Sequence, residues 1–400
     1  MATAFFQSLI FIAFALLGSV VGNRIAIKFK QPRVLGMLLA GIVIGILFNW
    51  TQWLQAVRHD EHGFIPQLAE FAAMVLLFRA GLEGNVKSML RDAKTSIWVA
   101  LIGVIMPLVG AYLLMQLLGY DFATAFFTGG ILVATSVGVT TAVLSEFKLL
   151  QATYAKIIIS AAVLDDVLGL IVLMVAQSFA GDIKLDIFTI IAQIGTALAF
   201  IVLLPLLGYF FVAPLMKQLR ALDPQANSKI IFGFMAAYGA GAAFAGLAPI
   251  VGAYFAGVAL EEAFFRSGKD DHEKPVEQRV LILEGTLAPI FFVYATSIVN
   301  PVIFLNFKVI ALGLSLTVIA VLGKIVAGAV VKSWIVGVGM IPRGEVGIIF
   351  ATLGFQLKII TQNIFSAAML MVILTTLITP PLLKYCINCH NRNRNQAEII

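Results

Sequence analysis

About thirteen separate stretches of this chain are apolar for a helix's length, and that repetition constrains the fold more than any other feature. A bilayer core of about 30 Å takes roughly 20 apolar residues to cross as a helix. The stretches run approximately over 4–27, 34–49, 65–83, 95–118, 122–144, 155–178, 187–213, 229–247, 249–264, 280–299, 308–333, 335–356 and 363–385. Only 12% of the residues are charged and 60% are hydrophobic, whereas a soluble domain carries about 25% charge. Backbone polar groups in hydrocarbon must be satisfied within the segment, so the spans are expected to be helices. The expectation is an all-α polytopic membrane protein embedded in a lipid bilayer.

Lysines and arginines orient it. With the N-terminus outside, the inner loops and span ends hold Arg24, Lys28, Lys30, Arg33, Lys87, Arg91, Lys94, Lys148, Lys156, Lys217, Arg220, Lys229 and most of those that follow. The outer loops hold Arg58, Lys184 and Lys358. Basic residues collect on the cytoplasmic side of membrane proteins, so the N-terminus is placed outside and the C-terminus in the cytoplasm. The same placement explains the net charge of +6 without any nucleic acid. The N-terminus runs straight into a long apolar stretch, and no cleaved signal peptide is expected.

The two halves echo each other. Gly36, Ala40 and Gly41 in the second span repeat as Gly252, Ala256 and Gly257 in the ninth, each set following a proline, Pro32 and Pro249. The fifth span is interrupted by Gly129, Gly130 and Gly138, and the twelfth by Gly337, Gly339, Pro342, Gly344 and Gly347. An offset of seven spans is odd, so equivalent spans cross in opposite senses. Two inverted repeats, each with one broken helix, are the pattern of a secondary transporter with a site near the midplane.

Residues 129–173 carry the chemistry. The apolar run 157–175 holds Asp165 and Asp166 at its middle. A carboxylate at mid-bilayer costs about 2.5–3.5 kcal/mol on insertion scales, which marks both as functional. Adjacent side chains on a helix diverge by about 100°, so one can face a water-filled cavity while the other meets a cation on a neighbouring helix. Lys324, central in the eleventh span and far from either interface, is the obvious cation. A structural ion pair would need only one aspartate and no broken helix. Thr135 and Ser136, in the glycine-broken span, offer hydroxyl oxygens beside unwound carbonyls, and small hard cations take such ligands. Arg343 and Glu345 in GMIPRGEVG read equally as a structural pair or a gate.

The strings ATSVGVT, AAVLDDVLGLIVL, LAPIVGA, LAPIFF, VLGK and GMIPRGEVG, in that order, resemble the cation:proton antiporter-2 family, nearest to NapA-type bacterial sodium/proton antiporters. The resemblance covers residues 5–385 and implies an NhaA-like antiporter fold, a homodimer and an inner-membrane location. By it, Asp166 is the ion and proton carrier and Asp165 pairs with Lys324. Na⁺ would then be held at Asp166 and Asp165, with Thr135 and Ser136 near them, and exchanged (or Li⁺ in its place) for H⁺ by alternating access. It further implies a mobile core of approximately 65–178 and 280–385. This core would move against a dimerisation domain of approximately 1–64 and 187–264, including a linking helix at 187–213. No cofactor and no enzymatic activity are expected.

Two departures from the family pattern stand out: Thr296 and Ile298 where a glycine and a basic residue are usual, and Arg79 where an apolar residue is common. The alternative transport reading is K⁺/H⁺ exchange, although potassium-efflux relatives carry Gln-Asp in place of Asp-Asp. An intramembrane aspartyl protease would need two carboxylates face to face sharing a proton, which neighbours on one helix cannot arrange. Cys386, Cys389 and His390 spell a haem-attachment pattern, yet on the cytoplasmic side they are expected to be a reduced thiol pair. His272 is expected to be a solvated loop histidine.

Overall fold

The computed structural model describes residues 2–50, 63–82, 86–178, 227–264, 274–297 and 306–397, with isolated residues between 191 and 210. Most of the expected seventh span, the loop with His272, and Ile298 lie outside the described residues. Fourteen helices are present among the described residues. They are α1 Ala2–Lys28, α2 Arg33–Trp50, α3 Phe64–Leu82, α4 Val86–Leu117, α5 Phe122–Ile131, α6 Val137–Glu146 and α7 Thr153–Ser178. The second half has α8 Asn227–Phe244, α9 Pro249–Phe264, α10 Lys274–Ser297, α11 Phe307–Val330, α12 Trp334–Gly339, α13 Glu345–Gln356 and α14 Gln362–Ala397. Among the described residues seven helices are long and apolar enough to cross a membrane by themselves. Both interrupted spans are pairs of half-helices, α5/α6 and α12/α13. Helix α14 runs past the expected end at 385, so Cys386, Cys389 and His390 sit on a helix, and the His390 ring packs against Tyr154. Both thiols are free.

The repeat is legible in backbone geometry. Six described residues have φ in the left-handed region: Lys30, Gly119, Lys148, Gly246, Lys332 and Lys358. Each follows the end of a helix and closes it with the same double bond; Lys148 N donates to Ser145 O and Leu149 N to Leu144 O, for instance. This is the Schellman stop, where glycine is usual. They pair across the halves as Lys30 with Gly246, Gly119 with Lys332, and Lys148 with Lys358, at the ends of equivalent helices.

Small residues set the packing, as expected where lipid supplies no hydrophobic drive between helices. A Cβ on Gly36 would overlap the Gly22 carbonyl of α1, and one on Gly252 would overlap the Tyr238 carbonyl of α8. The second glycine of each motif faces the opposite half: Gly41 lies on Val293 and Thr296 of α10, and Gly257 on Phe78 and Gly81 of α3. The α1, α2, α3 trio thus interlocks with α8, α9, α10. Helix α1 turns Phe5, Phe6, Phe14 and Leu17 outward, an apolar exposed face that suits lipid. Helices α4 and α11 pack as closely, with Pro107 on Gly323 and Ile319 on Gly110.

Candidate functional site: a crossing of broken helices beside buried carboxylates

Helices α5 and α12 end, and α6 and α13 begin, at one place inside the molecule. Asp121 starts α5 by accepting hydrogen bonds from the Ala123 and Thr124 amides at 3.1 and 3.2 Å. The helix stops after Gly129 and Gly130, and α12 likewise stops at Gly339 before Pro342, which has no amide proton to offer. The two linkers hold each other. The Ser136 amide donates to Pro342 O at 2.8 Å, and Thr140 Oγ1 donates to Gly339 O at 2.6 Å. Arg343 Nη1 in turn donates to Ala134 O at 3.0 Å. Each linker therefore satisfies carbonyls freed in the other. The C-terminal ends of two half-helices bring partial negative charge of about half a unit each to this point, and Arg343, wholly buried, offsets it. Its backbone is pinned to α14 through Thr375 and Thr376.

Asp165 of α7 lies behind the crossing at 0% exposure. Its Oδ2 accepts from Lys324 Nζ at 2.6 Å and from Thr135 Oγ1 at 2.7 Å. Lys324, also at 0%, is fitted between α4 and α11 by glycine: a Cβ on Gly103 would stand 2.9 Å from Nζ. The second oxygen, Asp165 Oδ1, is buried and has no hydrogen-bond partner, and the same is true of Arg343 Nε and Nη2. Buried polar atoms are almost always paired, so these three leave the crossing with hydrogen-bonding capacity that no protein group uses.

Asp166 points elsewhere. It is 7% exposed and lines a cavity of about 640 Å³, together with Ser136 and Arg343. One wall is α6, α7, α13 and α14; the other is α3, the α8–α9 turn and α10. Its lining residues on α3 (66–73) and α7 (166–173) lie toward the start of α3 and the end of α7, away from the end that carries Lys30, Arg33 and Lys148. Two contacts cross that opposite end. Arg33 N donates to Glu146 Oε2 at 2.8 Å, and Lys384 Nζ donates to the Lys30 carbonyl.

Of the residues singled out in the sequence, Asp166 and Ser136 thus reach the cavity, whereas Asp165, Thr135 and Lys324 form a closed network behind it. Arg343 joins the crossing itself, and the Glu345 side chain lies outside the described residues. Both departures found partners. Arg79 of α3 pairs with Glu284 of α10 at 2.5 Å, and Thr296 donates to Leu38 O at 2.8 Å. Thr140 belongs to the polar cluster of the glycine-broken span, whereas sequence reasoning missed Gly103, Thr375 and Thr376. Glycine or threonine inside a membrane helix is too common to single out these three.

Antiparallel repeats, two half-helix pairs and a buried lysine on a buried aspartate define a transport protein of the broken-helix type. A family model described as "Sodium/hydrogen exchanger, transmembrane" matches residues 12–385, and the chain belongs to that family. It is 32% identical over 95% of both chains to the Na(+)/H(+)-K(+) antiporter GerN of Bacillus cereus. It is 30% identical to the high-affinity Na(+)/H(+) antiporter NhaS3 of Synechocystis, over 94% of this chain and 88% of that one. Its fold is that of the sodium proton antiporter MjNhaP1 from Methanocaldococcus jannaschii, with a TM-score of 0.62 at 15% identity, covering 95% of this chain and 96% of the other.

Proposed function

We propose that this protein exchanges Na⁺ for H⁺ across a bacterial-type inner membrane by alternating access, with Asp166 as the shared carrier. The observation that carries the reading is the split between the two aspartates. Asp165 is held by Lys324 and Thr135 in a dry network, while its neighbour Asp166 stands in a cavity open to one side. A carboxylate holds either a proton or a cation, and that competition couples the two fluxes. The incoming Na⁺ is read as lying between Asp166 and the partnerless Oδ1 of Asp165, with Ser136 close by. If the basic end faces the cytoplasm, as the lysines and arginines indicate, the present state is outward-open and closed inside.

The packing favours a boundary for the moving unit that differs from one drawn by resemblance. Helices α3 and α10 interlock by glycine contacts with α9 and α2, across the cavity from Asp166. We therefore place α1–α3 and α8–α10 in the stationary, dimer-forming unit, and α4–α7 and α11–α14 in the moving core.

When Na⁺ draws Asp165 away from Lys324, the ammonium loses its carboxylate in a dry site and releases its proton. Two protons then move per Na⁺ and one net charge crosses. The similarity to an antiporter named for both Na⁺ and K⁺ supports K⁺ as a second cation. Purified protein in liposomes with a trapped pH dye tests these points. Na⁺ or Li⁺ pulses are expected to move protons, with a rate that responds to an imposed potential worth about 2.3 kcal/mol per charge per 100 mV. A reversal point at equal Na⁺ and H⁺ gradients, whatever the potential, would leave one-for-one exchange instead.

A further inference from the structure

We propose that Glu70 is an outer recruitment site for the hydrated cation, fixed on the stationary wall of the cavity and used only when the carrier faces outward. This rests on the exchange reading above. Pro66, Ala69, Glu70 and Ala73 line the cavity at the i, i+3, i+4 spacing of one helical face, so Glu70 projects into the opening and not into lipid. Its side chain is exposed there. Among the lining residues the charged ones are Glu70, Asp166 and Arg343. Arg343 sits at the floor with Nη1 spent on the Ala134 carbonyl, which leaves Glu70 as the negative charge of the mouth.

Depth follows from the helices. Glu70 is four residues from Pro66, the first cavity-lining residue of α3, about 6 Å at the rise of a helix, and Asp166 is seven residues from Leu173, the last cavity-lining residue of α7, about 10 Å. A cation entering past Pro66 and Leu173 meets Glu70 before its carrier. The difference in depth lies within one screening length of about 8 Å at physiological salt, and the walls between are mostly apolar. A fixed carboxylate in such a cleft concentrates cations and raises their rate of arrival. Two carboxylates in series on opposite walls also hand the ion from a fixed group to a moving one. Because Glu70 belongs to α3, it stays at the outer end when the core moves, so its influence is one-sided.

The test is the Na⁺ dependence of exchange in right-side-out and everted membrane vesicles carrying wild type, Glu70→Gln, Glu70→Lys or Glu70→Asp. Glu70→Gln is expected to raise the Na⁺ KM at the outer face about threefold or more at low salt, with a larger rise for Glu70→Lys. Glu70→Asp, which keeps the charge, should restore most of the affinity. The rise should shrink in about 0.3 M choline chloride and be absent when Na⁺ is offered at the inner face. Equal KM values for wild type and Glu70→Gln at the outer face would overturn the proposal while leaving the exchange reading intact, as would an equal rise at both faces. No Na⁺-driven proton movement by the wild type in either vesicle would remove both.

Discussion

At the scale of single residues, two neighbours with the same side chain stand in different surroundings. Asp165 shares one carboxylate oxygen between Lys324 and Thr135 in a site with no exposure, and Asp166, rotated by about 100° on the same helix, meets the cavity. Removing Lys324 leaves Asp165 buried without its counter-charge. Breaking a buried pair in this way costs about 3–5 kcal/mol. Lys324→Ala is therefore expected to lower the melting temperature of the purified protein sharply, and an unchanged melting curve would mean that water reaches the pair. The identity of the pair was legible in the sequence, because the chain offers few charges this deep in an apolar run. The snugness of the site was not. Gly103, whose missing side chain makes room for Nζ, looks like any other glycine in a membrane helix until α4 and α11 are seen together.

At the scale of elements, the fold depends on how helices stop. Four of the six left-handed stops are lysines, where an L residue costs about 1–2 kcal/mol relative to right-handed backbone. Lys358→Gly should relieve this at the end of α13. Glycine's own entropic penalty of about 0.5–1 kcal/mol subtracts from the gain, and a modest rise in melting temperature is expected. A fall would mean that the Lys358 side chain contributes more than its backbone costs. These lysines explain why part of the repeat could not be read from sequence: glycine is the recognised stop signal, and a lysine at the same position carries none. The G-x-x-x-A-G motifs were visible because close helix contact demands small residues. The interrupted spans were visible as well, since glycine and proline clusters inside an apolar run have few other uses. That each linker caps the other, through Thr140 and Arg343, follows only from the crossing.

At the scale of the whole molecule, the cavity beside Asp166 and the contacts at the opposite end are read as one stage of the proposed transport cycle. The closing contacts join the α1–α2 turn to α6 and α14, that is, the unit proposed as stationary to the one proposed as moving. Cysteines introduced at Arg33 and Glu146, with Cys386 and Cys389 first replaced, should react with a short bifunctional thiol reagent. The linked protein should stop exchanging until reduced. Undiminished exchange in the linked protein would mean that the two units do not separate there. Inversion of the repeats makes such alternation natural, because two equivalent arrangements can exchange which end is open. The measurement that bears most directly on the coupling is proton movement driven by Na⁺ in liposomes containing Asp166→Asn, beside wild type reconstituted at the same density. An amide binds neither ion strongly, so the variant should melt as a folded protein yet move no protons on addition of Na⁺. Proton movement near the wild-type rate in Asp166→Asn would contradict the assignment of Asp166 as the group that Na⁺ and H⁺ share.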